Sequence, residues 1–183
     1  MVSRAGSAPL PLLRAVLPPA VVLAATTVLA PPAFGVHEGR AVALAVDSGL
    51  GPVFPDVVAE AADRLGRPPC SFLLREFADR ATGRPLAETL AATGLTAAEY
   101  LRSIRFQSGL GRSVCGQPGM LAYTSPGSRA VVVCPHELMG FRTREGTSTV
   151  AVVLHEALHS LGLGEDPPSS KEITAAVVSL CGE

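Results

Sequence analysis

Between Pro55 and Leu65, the apolar residues Val57, Val58, Ala61, Ala62 and Leu65 recur at helical spacing, and Gly66 and Pro68 stand behind them to end the run. The pattern predicts a helix over 55–65. Ser71 to Ala81 carries the same spacing at Phe72, Leu73, Phe77 and Ala81 and is closed by Gly83, so it reads as a second helix, with a strand start as the other option. Leu86 to Ala92 is a short helical run stopped by Gly94. Thr96-Ala97-Ala98-Glu99 has the form of a capping box, in which first and fourth side chains satisfy each other's backbone N–H groups, and it opens a helix through about Ile104. Gly119–Thr124 and Arg129–Cys134 are β-rich and flank the turn signal Ser125-Pro126-Gly127-Ser128, which predicts a hairpin with Thr124 opposite Arg129. Ala41–Val46 is a further candidate strand, and Pro135 to about Ser148 reads as loop. Thr149–Leu161 is apolar nearly all round, as a central buried helix should be. Ser169-Ser170-Lys171-Glu172 is a second capping box, leading into a last helix with Ile173, Val177, Leu180 and Cys181 on one face.

Several helices around a small sheet that includes the 119–134 hairpin make a single α+β domain. The 183 residues, 48% hydrophobic and 17% charged, suit one packed unit. A net charge of −1 offers no basic surplus for nucleic acid, and with no Trp and 4% aromatics there are few platforms for stacking bases or sugars. The N-terminus changes the picture more. Arg4 and Arg14, the uncharged stretch Ala15–Ala30 and the small residues around Phe34 read as a signal peptide over 1–35. The stretch is too short and too interrupted by Pro for a comfortable span of about 20 apolar residues, so residues 36–183 are expected outside the cytoplasm, secreted or periplasmic, with no stable membrane span. Cys70, Cys115, Cys134 and Cys181 all fall in that part and contain no C-x-x-C pair, which favours two disulfides over a zinc ribbon or redox motif. The hairpin brings Cys134 near Gly119, a short bend from Cys115. The expected pairs are therefore Cys115–Cys134 and Cys70–Cys181, the latter tying the last helix to the N-terminal half.

The chemistry lies in Thr149–Asp166, TVAVVLHEALHSLGLGED. His155 and His159 are four apart, so on a helix both imidazoles project from one face and can grip one metal ion. Catalytic Zn²⁺ typically takes three protein ligands and keeps a fourth position for water. Glu156, beside the first His, is placed to take a proton from that water and pass it to a leaving amine. An exposed helix with merely solvated His and Glu fits poorly, because the flanking Val and Leu residues would bury these groups without partners.

His155-Glu156-Ala157-Leu158-His159-Ser160-Leu161-Gly162 resembles the zincin metallopeptidase signature, and with Glu165 it is similar to the metzincin form His-Glu-x-x-His-x-x-Gly-x-x-His/Asp. The run Leu161–Ser170 also resembles a group of short exported bacterial proteins that share Leu-Gly-Leu-Gly-Glu-x-Pro-Pro-Ser-Ser. The resemblance implies a small zincin-like domain with a short mixed sheet, a central helix bearing the histidines, and a C-terminal helix. It also implies zinc as cofactor, Glu156 as general base, and a protein or peptide as substrate. In metzincins the Gly turns the chain back beneath the metal and the last position ligates it, a turn Gly162 can make because a left-handed backbone is cheap only for Gly. This chain departs from the pattern with Glu165 at the third position, Asp166 beside it, and no Met after His159 to form a Met-turn. A gluzincin arrangement would use Glu172 instead. Glu165 is the first candidate for third ligand, with Asp166 and Glu172 as alternatives.

Ala130–Cys134 is a candidate edge strand for binding an extended peptide, or a plain core strand. Tyr123 and His136 are candidates to stabilise an oxyanion, while His37, Arg142 and Arg144 read as surface charges. Two classes of function fit: an exported zinc metallopeptidase, or a non-catalytic module in which zinc or the disulfides serve structure or recognition. A structural site would recruit a fourth ligand such as His136 or Asp166, whereas a catalytic one leaves Glu156 unligated beside an open position.

Overall fold

The structure is a computed structural model that describes residues 43–141 and 148–182. The expected signal peptide, with His37, Arg142 and Arg144, lies outside them. Among the described residues the chain runs through β1 (Ala45–Val46), α1 (Phe54–Leu65), α2 (Leu73–Glu76), α3 (Leu86–Ala92), α4 (Ala97–Arg102), β2 (Arg105–Ser108), β3 (Ala122–Tyr123), β4 (Ala130–Val133), α5 (Pro135–Phe141), α6 (Thr149–Ser160) and α7 (Ser170–Cys181). This is an α+β domain with a small mixed sheet in the order β1-β2-β4-β3. β2 is parallel to β1 and β4, and β3 is antiparallel to β4. Among the described residues, no helix is long and apolar enough to cross a membrane.

Helix α1 forms where the periodicity places it, burying Phe54, Val58, Ala61, Ala62 and Leu65. It packs on α4 and α6, and α6 in turn meets α7, β3 and β4. Val153, Leu154, Ala157, Leu158 and Leu161 of the α6 segment are almost wholly buried, each large side chain contributing about 1.5–3 kcal/mol relative to exposure. Both capping boxes are present, on Thr96–Glu99 and Ser169–Glu172. Both expected disulfides form: Cys70–Cys181 joins the segment after α1 to the end of α7, and Cys115–Cys134 joins the loop after β2 to the end of β4. Two disulfides fit an oxidising compartment.

Three expectations need correction, and one unassigned stretch forms a strand. The helix expected to reach Ala81 stops at Glu76, and Phe77 is extended. Asp79 is the cause: its carboxylate accepts from the backbone N–H groups of Ala81 and Thr82, a local competitor to helix, and Gly83 at φ +69° closes the turn. Residues 105–108, unassigned by pattern, form strand β2, where Phe106 is the one buried side chain of four. Pro135–Phe141 is helix α5 rather than loop. In the hairpin, Tyr123 faces Val132 and Ala122 faces Val133, two residues off the expected register. The loop is wider because the Ser128 hydroxyl accepts from Ala130 N–H and the Thr124 hydroxyl donates to the Ala130 carbonyl, holding residues 124–130 out of the ladder. A slip of two keeps every side chain on its face, so the disulfide at Cys134 survives it.

β4 is therefore an interior strand between β2 and β3, its backbone groups already committed on both sides. The candidate peptide-binding edge at Ala130–Cys134 does not exist; the edge strands are β1 and β3, and β3 is the one beside β4.

Candidate metal centre

The site is built on α6. Ser148 caps its start by accepting from Ala151 N–H, and the helix carries His155, Glu156 and His159 inward at 7%, 6% and 6% exposure. The two His Nε2 atoms stand 3.0 Å apart. His159 Nδ1 lies 2.8 Å from the Leu163 carbonyl, which can only accept, so the ring carries its proton on Nδ1 and leaves Nε2 bare. His155 Nδ1 is 3.0 Å from the Thr174 hydroxyl on α7. Each ring is thus held by its far nitrogen with its near nitrogen turned to a common point, as metal-ligating imidazoles are.

The third group arrives by way of the helix end. Leu163 N–H bonds back to the Leu158 carbonyl and Gly162 N–H to the His159 carbonyl, the paired bonds of a Schellman motif, with Gly162 at φ +110°. The turn that stops the helix also delivers the Leu163 carbonyl to His159. The hairpin-like segment 77–85 clamps this return. Arg80 N–H donates to the Gly162 carbonyl, Asp79 bridges Leu163, and the Asp79 carboxylate fills the space a Gly162 side chain would need.

Beyond the turn, Glu165 places Oε1 3.4 Å from His159 Nε2 and 3.9 Å from His155 Nε2. Ligand atoms at the 2.0–2.1 Å bond lengths of tetrahedral Zn²⁺ are about 3.3 Å from one another. The observed separations of 3.0, 3.4 and 3.9 Å bracket that value, so the donor set fits a metal ion with no large movement. Among the described residues, His155, His159 and Glu165 are the group that can hold one. Of the alternatives, Glu172 is consumed by its capping box, which also lowers its pKa. Asp166 is outside the triad, with φ +67° and its N–H donating to the Pro168 carbonyl.

Set against protein-family models, curated proteins and solved structures, the chain matches none.

The triad opens into a cleft of about 590 Å³, within the range of about 300–1,000 Å³ for ligand sites. Residues 119–124, including edge strand β3, form one wall, and Arg80, Glu165, Asp166, Ser170 and Thr174 line it elsewhere. Tyr123 faces this cleft; His136 is exposed on α5 and does not line it. Glu156 reaches the cleft too, but its other neighbours are an apolar cluster with Phe54, Phe106, Val131 and Val153. Its Oε2 is buried with no hydrogen-bond partner among the described residues. Burial, and secondarily the Glu165 charge, push its pKa up to about 8. His155 moves the other way, down to about 4, through burial and then the proximity of His159. Thr174 and Arg80 carried no sequence signal: one is a helix residue remote in sequence from its histidine, the other a surface Arg among several.

Proposed function

We propose that the chain is an exported zinc-dependent metallopeptidase that hydrolyses peptide bonds in proteins or cell-envelope peptides. Two imidazole nitrogens and one carboxylate oxygen suit Zn²⁺. A zinc ion held by His155, His159 and Glu165 would polarise a carbonyl and acidify a water molecule. Glu156 carries the reading. Its Oε2 is buried without a hydrogen-bond partner among the described residues, in the same cleft as the donor triad, and a closed structural site would have no use for it. As general base it accepts the proton of the attacking water, and as general acid it delivers that proton to the departing amine. Its apolar surroundings raise its proton affinity and so suit it to hold the proton between the two steps. The outer edge of β3, unpaired among the described residues, offers an extended peptide main-chain hydrogen bonds along the cleft wall.

Zinc content after dialysis against a weak chelator, and cleavage of casein or a peptide library, test this on wild type, Glu156→Gln and Glu165→Ala. Glu156→Gln should keep the metal and lose about 10²–10⁴-fold in turnover, while Glu165→Ala should lose the metal. Wild-type turnover in Glu156→Gln would remove its role as base, and wild-type zinc in Glu165→Ala would remove that residue from the site. Stoichiometric zinc without any cleavage would favour the non-catalytic module.

A further inference from the structure

We propose that Arg80 selects the substrate of this cleft by holding a carboxylate of the bound peptide, an inference that rests on the peptidase reading above. Among the described residues lining the cleft, Arg80 is the one Lys or Arg; the other ionisable members are two histidines, three carboxylates and Tyr123. Its side chain makes no ion pair or hydrogen bond among the described residues, although Glu165 and Asp166 line the same space. An unneutralised guanidinium at the mouth of a binding site presents five donors in a fork that fits a carboxylate from two sides at once.

Its position is fixed more firmly than an exposed Arg usually is. The backbone N–H is bonded to the Gly162 carbonyl at 2.9 Å, and neighbouring Asp79 bridges Leu163. The aliphatic stem lies across Gly164, where an added Cβ would come within 3.1 Å of Arg80 Cβ and Cγ and closer still to Cδ. Gly164 has no left-handed backbone to explain it; the stem of Arg80 occupies the place of its side chain. Gly164 directly precedes candidate ligand Glu165, so the backbone and stem of Arg80 are held against the same return that carries the third donor. A side chain already held down loses less freedom on binding than a mobile one. The carboxylate it takes is either an acidic side chain near the scissile bond or the C-terminal carboxylate of a short peptide.

Calorimetric binding of peptide hydroxamates to the zinc-loaded protein tests this without turnover. Two pairs of probes suffice: one with a Glu side chain against its Gln counterpart, and one ending in a free acid against the same peptide ending in an amide. Wild type should favour a carboxylate-bearing member by about tenfold, and the pair showing the preference identifies the source. Arg80→Gln, which retains the stem carbons over Gly164, should abolish the preference, and Gly164→Ala should weaken it by displacing the stem. Arg84→Gln, an exposed Arg in the same turn outside the cleft lining, should leave it intact. Equal or absent binding of both members of each pair, or a preference that survives in Arg80→Gln, overturns the proposal. A carboxylate preference in a protein that cleaves nothing would sustain Arg80 and sink the peptidase reading; cleavage indifferent to carboxylates would do the reverse.

Discussion

The proton on His159 is placed by a carbonyl that can only accept, whereas His155 faces a hydroxyl that can do either. Thr174 therefore orients its ring but leaves the tautomer to whatever binds at Nε2. With a metal there, Nδ1–H donates to Thr174, and the hydroxyl becomes part of the ligand set's support. Thr174→Val should weaken metal binding by about 10–100-fold, in the range of lost outer partners of ligating histidines, while Thr174→Ser restores it and neither alters the circular dichroism spectrum. Competition with a chromophoric chelator measures this, and unchanged affinity in Thr174→Val would show the hydroxyl to be incidental. At this scale the sequence was informative only where geometry is local. Four-residue spacing puts His155 and His159 on one face whatever surrounds them, and Gly162 three residues later announces the turn to Glu165. Thr174 meets its histidine 19 residues away on another helix, and no spacing rule connects such positions.

Among the elements, the same distinction separates what could be read from what could not. The capping boxes of α4 and α7 involve four consecutive residues each and formed as written. Strand β2 is held by partners on either side, β1 and β4, that are distant in sequence, and its own four residues show only Phe106 as a buried position. The end of α2 turned on Asp79, whose side chain outcompetes the helical ladder for two N–H groups, a choice that apolar periodicity does not record. The hairpin register was missed by two residues because hydroxyl groups, not apolar ones, set the width of its loop. The disulfides differ in reach, spanning 111 and 19 residues. In the chain-entropy account, removing Cys70–Cys181 by paired Ser substitution should cost about 4–5 kcal/mol and removing Cys115–Cys134 about 3 kcal/mol. Urea unfolding of the two double variants checks the order, and a smaller loss for Cys70/Cys181 would mean that α7 is held chiefly by its packing.

For the whole molecule, the two perturbed groups of the site give the metal-free protein an uneven pH profile. Burial lowers the His155 pKa from 6.5 to about 4, so between these values the unfolded chain binds more protons and stability rises with pH. Burial raises the Glu156 pKa from 4.5 to about 8, so over that range the folded chain binds more protons and stability falls with pH. The two oppose each other from pH 4.5 to 6.5, and above 6.5 only the Glu156 decline remains. With chelator present, the urea midpoint should therefore fall from pH 6.5 to 8 and fall again on acidification toward 4; a midpoint that is flat or rising from 6.5 to 8 would contradict this. Added zinc should remove the alkaline decline, since a cation near Glu156 favours its ionised form. The Schellman turn sets a bound on how much stability metal can add. It confines all three donors to residues 155–165, so bringing them together in an unfolded chain closes only short loops at little entropic cost. Such a chain keeps a chelating peptide of its own, and any affinity there is subtracted from what the ion contributes to folding. The ion can consequently be captured early, by a nascent segment, well before the long Cys70–Cys181 link closes the domain around it.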